Sequence, residues 1–497
     1  MATHFQVDTG GSPAAYLQRL RETPLFKTKV ELNSDEYAAN YQEMEKKVAE
    51  LNERLDETLW PGPQKAVNKH VAEGMLLARE RMELVLDDDS PFVELCALAG
   101  WGMKVRDLRQ QSHHQGRRLQ RGSSLRYSLR GDHLPRSRIP LEARHPFHIH
   151  RLRLQHCRRC LPAGYERLHR AGEGAGCGVP GGPPTEMHAK VSGVADYLAM
   201  DEKHALLLTR QIVASLNHQK VTPLPEAYLA GVVEPPMYPP AELLGIASAD
   251  VRVPYDAKEV IARLVDGSRF NEFKPLYGPG LVTAFAFICG FPVGILANNG
   301  VLFNAESNKG TQFIHLCNQR KTPIIFLANI TGFMVGQKYE REGMIKQGAL
   351  MINAVTNSAV PAITIQMGAS YGAGNYAMSG RAYKPRFIFA WPQSKCSVMG
   401  PDQLTGVMEM VQRQSAINAG KKIDESVFEK SRAMLRAQVE NEGNVYYTSS
   451  RLIDDGIIDP RDTRDVLAVC LSAIYSGEAA RALIAYPCSV PNPITVS

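Results

Sequence analysis

No stretch of this 497-residue chain offers about 18 uninterrupted apolar residues, so no membrane-spanning helix is expected. The opening residues, MATHFQVDTGGSPAAYLQRLRETPLFK, lack the apolar centre of a secretory signal and the arginine density of a mitochondrial presequence. Cysteine is sparse and odd in number, nine scattered residues, which argues against a disulfide framework and for a reducing compartment. There is no GxGxxG after a first strand, no Walker glycine loop, no HExxH pair and no Ser/His/Asp order. Dinucleotide binding, P-loop chemistry, zinc proteolysis and triad hydrolysis therefore lose their usual marks.

What is present is a globular composition, 44% hydrophobic and 22% charged, in a chain long enough for two or three domains. Its net charge of +6 is unevenly spread. Residues 105–170 hold 16 Arg, no Lys and only 4 acids, a balance of +12, so the remainder of the chain sums to −6. Eight of the 14 histidines fall in the same window. From Val105 to about Cys177 no hydrophobic period of 2.0 or 3.6 is sustained, a pattern expected to be disordered. Within it, Cys157 and Cys160 stand two residues apart, with His150, His156 and His169 nearby. Literally read, that is a zinc ligand set on a basic, nucleic-acid-binding surface. The motif is weak, because a structural site wants a second defined pair.

Outside that block the chain is patterned. Residues 35–57 read as one amphipathic helix, and 73–95 as a second, closed by the Asp-Ser-Pro turn at 89–91. Residues 181–216 read as a turn followed by helix. From 255 onward, apolar strands alternate with helices across short turns: FPVGILANNG, NKGTQFIHLCNQRK, TPIIFLANITGF, EGMIKQGALMINAVTNS, VPAITIQMGASYGAGNYAMSG and RFIFAWP. That alternation predicts an α/β fold with adjacent parallel strands.

Two turns can carry chemistry. GASYGAGNYAMSG places Gly372, Ala373 and Gly374 where a buried strand becomes a helix, so backbone can approach a ligand and free N–H groups can face a developing oxyanion. Close strand–helix packing would explain the same glycines. NITGFMVG presents Gly332, Phe333 and Gly336 after an equally buried strand. Glycine turns at the C-terminal ends of adjacent parallel strands are where an α/β site belongs. A carbonyl-polarising site without an evident side-chain base points to enolate chemistry whose base comes from the substrate or a cofactor.

PYDAKEVIARLVDGSRFNEFKPLYG, GILANNGVLFNAESNKGTQFIHLCNQRKTPIIFLANITGFMVG, SYGAGNYAMSGRAYKPRFIFAWP and DDGIIDPRDTR together closely resemble the biotin-dependent acyl-CoA carboxyltransferases. The branch resembled is that of the 3-methylcrotonyl-CoA carboxylase β subunits; the propionyl-CoA branch has a VPGF-type turn in place of NITGFMVG. The resemblance spans roughly residues 30–103 and 181–497. It implies two tandem crotonase-like ββα-spiral domains, here 1–250 and 251–497, with sites where halves of neighbouring subunits meet. It further implies carboxybiotin as the carboxyl donor, carried on a biotin carboxylase/biotin carrier α subunit. Biotin's ureido nitrogen then deprotonates the acyl-CoA, and the enolate captures CO2. The matching residues would be Gly372, Ala373 and Gly374 as the hole for the biotin ureido oxygen. Gly332, Phe333, Gly336, Tyr371 and Asn375 would form the adjoining biotin and substrate surface. No metal, nucleic acid or membrane is implied; a β homo-oligomer, expected as a hexamer, is. The compartment expected is the mitochondrial matrix in a eukaryote and the cytoplasm otherwise.

Two departures stand out. After Val398-Met399-Gly400 the family continues Gly-Glu-Gln, whereas Pro401-Asp402-Gln403 stands here. The N-terminal half lacks the Ala-Gly-Gly-Ala-Tyr turn that holds the thioester oxygen, which should fall near residues 155–170. Back-translating 157–169 with one allowed codon choice and reading one nucleotide later gives AGGAYRPGMSDY, the missing turn. Residues 110–121 shift likewise to NSPTIKGGASN, and 178–182 to VFLGG. Residues 105–184 thus read as a frame-shifted segment rather than a zinc module or an arginine-rich arm. The rival functions are a propionyl-, acetyl- or geranyl-CoA carboxyltransferase, a lone crotonase-like hydratase or isomerase, and an inactive structural homologue. Against the hydratase stands the absence of an acidic residue in 368–380.

Overall fold

The computed structural model describes residues 12–59, 64–72, 74–87, 92–103, 190–191, 196–216, 225–418 and 425–483. The basic block with Cys157 and Cys160, and the segment 105–184 expected to be frame-shifted, lie outside the described residues.

The apolar, β-branched runs of the C-terminal half form one seven-stranded sheet: β1 Phe270–Glu272, β2 Leu281–Ile288, β3 Phe291–Asn298, β4 Ile324–Ile330, β5 Ala362–Tyr371, β6 Phe387–Ala390 and β7 Lys395–Ser397. β1, β2 and β3 are antiparallel neighbours, and β3, β4, β5 and β6 run parallel in chain order. β7 pairs with the far end of β5, beyond the last β6 pair. Both faces of the parallel strands are covered, which is why they read as continuous apolar runs and not as alternation.

One face packs on the helices Ala257–Leu264 and Thr463–Leu483, with Val260, Ile261, Leu467 and Leu471 buried against Ile295, Ile325 and Ile365. The helix Asp35–Leu59 joins this core through Met44 and Val48. The other face packs on Asn304–Arg320 and Met344–Thr356, with Phe313, Ile314 and Met351 against Leu296, Phe326 and Ala328. The tight β2–β3 connection is held by Asp266. Its carboxylate accepts the Cys289 and Gly290 amides at 2.8 Å each and the Tyr16 hydroxyl at 3.0 Å, and it pairs with Arg464 at 2.6 Å.

One sequence expectation changes, and two features are added. The helix expected over 73–95 is confined to Ala78–Val85, because Glu80 caps the Leu77 amide at 2.6 Å at its start and Leu86 is extended at its end. The sheet begins with an antiparallel meander that the alternation of strand and helix did not announce. A helical pair, Pro401–Asn418 and Glu425–Glu442, comes after β7.

Candidate functional site

β4 and β5 are adjacent and parallel, so the turns at their C-terminal ends emerge side by side at one sheet edge. Gly372 leaves β5 at φ 52°, a left-handed conformation, and a Cβ there would lie 2.9 Å from the Val398 carbonyl oxygen. Only glycine fits both demands. The helix Gly372–Ala377 starts at once, and no side chain caps it. Its leading N–H groups therefore have no intrahelical acceptor. Ala373 is exposed and Gly374 is buried.

Gly374 is where the two turns touch. A Cβ on it would fall 2.9 Å from Ile330 Cγ1 and 3.1 Å from the Gly332 Cα. Gly332, at φ 142°, has open space where its own side chain would stand. The two glycine turns thus form a shallow, backbone-walled cradle: one side offers helix-start amides and the other an unobstructed Cα. Gly336, at φ 137°, is exposed and begins the next helix, Gln337–Arg341. Phe333 is half-buried; it bridges to Leu302, and its ring lies against Gly348.

The side chains around the cradle are neutral. Tyr371 is buried, and burial raises its phenol above the ordinary value. Asn375 turns back into the protein, donating from Nδ2 to Ser370 Oγ at 2.8 Å and towards Cys396 Sγ at 3.8 Å, while its backbone carbonyl accepts Gly380 N–H at 2.8 Å. Burial pushes the Cys396 thiol up to about 11, so it is not a thiolate nucleophile at neutral pH. The structure therefore brings together Gly332, Tyr371, Gly372, Ala373, Gly374 and Asn375, with Phe333 and Gly336 on the outgoing arm of the β4 turn. Such a cradle can stabilise negative charge on a carbonyl oxygen but supplies no basic side chain of its own.

Sequence reading missed three participants. Asn329 sits under the β4 turn and holds the Ala369 amide at 3.1 Å. Gly368 faces it so closely that any Cβ would overlap the Asn329 amide. Asp454 is buried, with Oδ2 unpartnered; burial raises its carboxyl to about 7, and its charge adds to the rise of the Cys396 thiol. Asn329 and Gly368 open the two glycine-turn motifs, and Asp454 lies in the paired acids of DDGIIDPRDTR, but no spacing marked any of the three. Among the described residues no cluster of three or more His, Cys, Asp or Glu could hold a metal ion, and no helix is long and apolar enough to cross a membrane.

Comparison with known proteins fits this geometry. The carboxyl transferase domain family matches residues 181–483. The chain is 41% identical to the probable biotin-dependent acyl-coenzyme A carboxylase beta2 subunit of Mycobacterium tuberculosis, covering 91% of this chain and 98% of the relative. It is 36% identical to the mitochondrial methylcrotonoyl-CoA carboxylase beta chain of Dictyostelium discoideum, covering 89% of this chain and 87% of the relative. Among solved structures, the geranyl-CoA carboxylase beta subunit of P. aeruginosa superposes with a TM-score of 0.72 at 29% identity, covering 92% of this chain and 98% of that one. A parallel sheet with two interlocked glycine turns, no side-chain base and this extent of likeness lead to one conclusion: the chain belongs to the carboxyl transferase family, the carboxyltransferases of biotin-dependent acyl-CoA carboxylases.

Proposed function

We propose that the chain is the β subunit that carboxylates a branched enoyl-CoA, 3-methylcrotonyl-CoA in the first instance, with the Gly372–Gly374 amides as its C-terminal oxyanion hole. The observation that carries this reading is the contact of Gly374 with Gly332, which leaves an uncapped helix start beside an open Cα. That cradle fits a flat, uncharged ring with a carbonyl oxygen, because amides meet the oxygen and no side chain blocks the ring. Carboxybiotin, when bound, supplies the CO2 and the base. The protein's part is to bind that oxygen, to keep Tyr371 and Cys396 neutral beside it, and to orient the acyl-CoA. Preorganised donors of this kind stabilise developing charge without reorganising as it forms. The NITGFMVG turn argues against propionyl-CoA, and the methylcrotonoyl-CoA relatives support the branched enoyl substrate; acetyl- and geranyl-CoA are the alternatives.

The same reading gives the chain two tandem crotonase-like domains, 1–250 and 251–497. Its partner is a biotin carboxylase/biotin carrier α subunit, and its assembly is a hexamer of β subunits. It works in the mitochondrial matrix of a eukaryote or the cytoplasm of a bacterium. Residues 105–184 are a frame-shifted stretch in place of the thioester-oxygen hole, so the chain as written is inactive. The family match begins at 181, at the end of that stretch and past the basic residues 105–170, which supports this reading. The test is to supply α subunit, ATP, bicarbonate and 3-methylcrotonyl-CoA to the chain as written and to a version with the frame restored. Carboxylated product from the restored chain alone is expected. Equal product from both overturns the frame reading, and none from either overturns the function.

A further inference from the structure

Ala328 on β4 pairs with Gln366 on β5, and the next pair is Ile330 with Ser370. A single residue of β4, Asn329, thus faces three residues of β5: Met367, Gly368 and Ala369. This is a bulge of two extra residues, and its extra length comes just before the Gly372 turn. Such insertions take backbone groups out of the ladder and re-aim the chain beyond them.

The freed groups find side-chain partners. The Ala369 amide donates to Asn329 Oδ1 at 3.1 Å. The Met367 carbonyl accepts the Tyr255 hydroxyl at 2.9 Å and Gln393 Nε2 at 2.7 Å. The Asn329 amide itself donates to Asn298 Oδ1 at 3.3 Å, on β3. Gly368 accommodates the Asn329 side chain, since a Cβ there would stand 2.8 Å from Asn329 Cγ. Two asparagines at the ends of β3 and β4 therefore set the path of β5. One residue past the bulge, Ser370 takes the Asn375 side chain, and Gly372 opens the helix.

We propose that Asn329 is a positioning residue: its side-chain carbonyl, seated on Gly368, fixes the β5 bulge and thereby aims the Gly372–Gly374 amides at the open face of Gly332. The catalytic consequence rests on the reading of those amides as an oxyanion hole. The geometric one does not. Asn329→Asp keeps the acceptor, Asn329→Leu keeps the volume without it, and Gly368→Ala drives the amide out from the other side. A misplacement of about 1 Å at such a site costs on the order of 100-fold in rate.

The test uses the full chain with selectively 15N-labelled glycine, and thermal unfolding shows that each variant is folded. With Asn329→Leu, the Gly372, Gly374 and Gly332 amide resonances should move together, while those of Gly300 and Gly406, outside the contact, stay. Asn329→Asp should restore the parental positions. Where Asn329→Leu does not fold, Gly368→Ala takes its place and should move the same three. A shift confined to Gly368 overturns the proposal, as does an aspartate variant that behaves like leucine. In the complex with the biotin-carrying partner, using the frame-restored chain, kcat should fall about 10- to 100-fold in Asn329→Leu with KM for acyl-CoA unchanged. An unchanged kcat overturns it too. Absence of carboxylation in the parent would instead defeat the functional reading, and the glycine resonances would still decide the positioning claim.

Discussion

Arg381 donates from Nη2 to Asp455 Oδ1 at 2.8 Å, and the other oxygen of Asp455 accepts the Ile388 amide at 2.9 Å. One buried carboxylate thus ties the segment after the site helix to β6. Arg381 Nε also reaches the Ile453 carbonyl at 3.0 Å, so the clasp holds both sides of the 453–455 turn.

Asp455→Ala should destabilise the protein by about 2–3 kcal/mol, because it leaves a buried amide without an acceptor and takes the carboxylate from the half-buried Arg381 guanidinium, which keeps only the Ile453 carbonyl. Asp455→Asn keeps one acceptor and should cost roughly half as much. Urea unfolding of the two variants measures the difference; equal losses would show that charge alone matters.

Next to it, Asp454 makes stability depend on pH in an unusual direction. Burial lifts its carboxyl from the ordinary 3.8 to about 7; Asp455 adds to the rise, while Ser449, Arg381 and the Gly456 amide act against it. Between those values the folded state binds a proton that the unfolded state has released, so stability falls as pH rises from about 4 to about 7 and then levels off. The full span is on the order of 4 kcal/mol. Asp454→Asn should abolish this slope and be the more stable protein at pH 8. Unfolding curves at pH 5 and pH 8 decide it, and a variant with the parental slope refutes the assignment.

Gly374→Val would thrust a branched side chain onto Ile330 and Gly332, which a Cβ alone already crowds at 2.9 and 3.1 Å. In a frame-restored, partner-assembled enzyme this should remove about 3 kcal/mol or more of transition-state stabilisation. Turnover equal to the parent's would mean that the turn serves packing only.

The transcript should encode AGGAYRPGMSDY in the +1 frame across codons 157–168. Sequencing the message over codons 100–190 checks this directly, and any other +1 peptide refutes it.

The strands β3 to β6 and the two glycine turns were legible because buried parallel strands write themselves as unbroken apolar runs ending in glycine. The helix Asp35–Leu59 was legible from its amphipathic spacing. The β5 bulge was not: it adds an even number of residues, so the inside–outside order of its neighbours is unchanged and no period breaks. Asn329 and Gly368 gain meaning only from each other, across 39 positions of sequence. Asp266 is equally silent in sequence, although four groups from three distant segments converge on it.

Met44 and Val48 lie in the same core as Ile325 and Leu467, and Leu98 is buried beside Ala390. On the far side, Ala227 packs with Phe287 of β2, so the described residues before 103 and after 225 are fastened to one sheet, and joining them carries a closure cost. Closure entropy grows only with the logarithm of loop length, about 0.6 kcal/mol for each doubling. On the proposed reading, a change of frame between those two fastenings would leave both in place, and the C-terminal sheet would lose almost none of its cohesion.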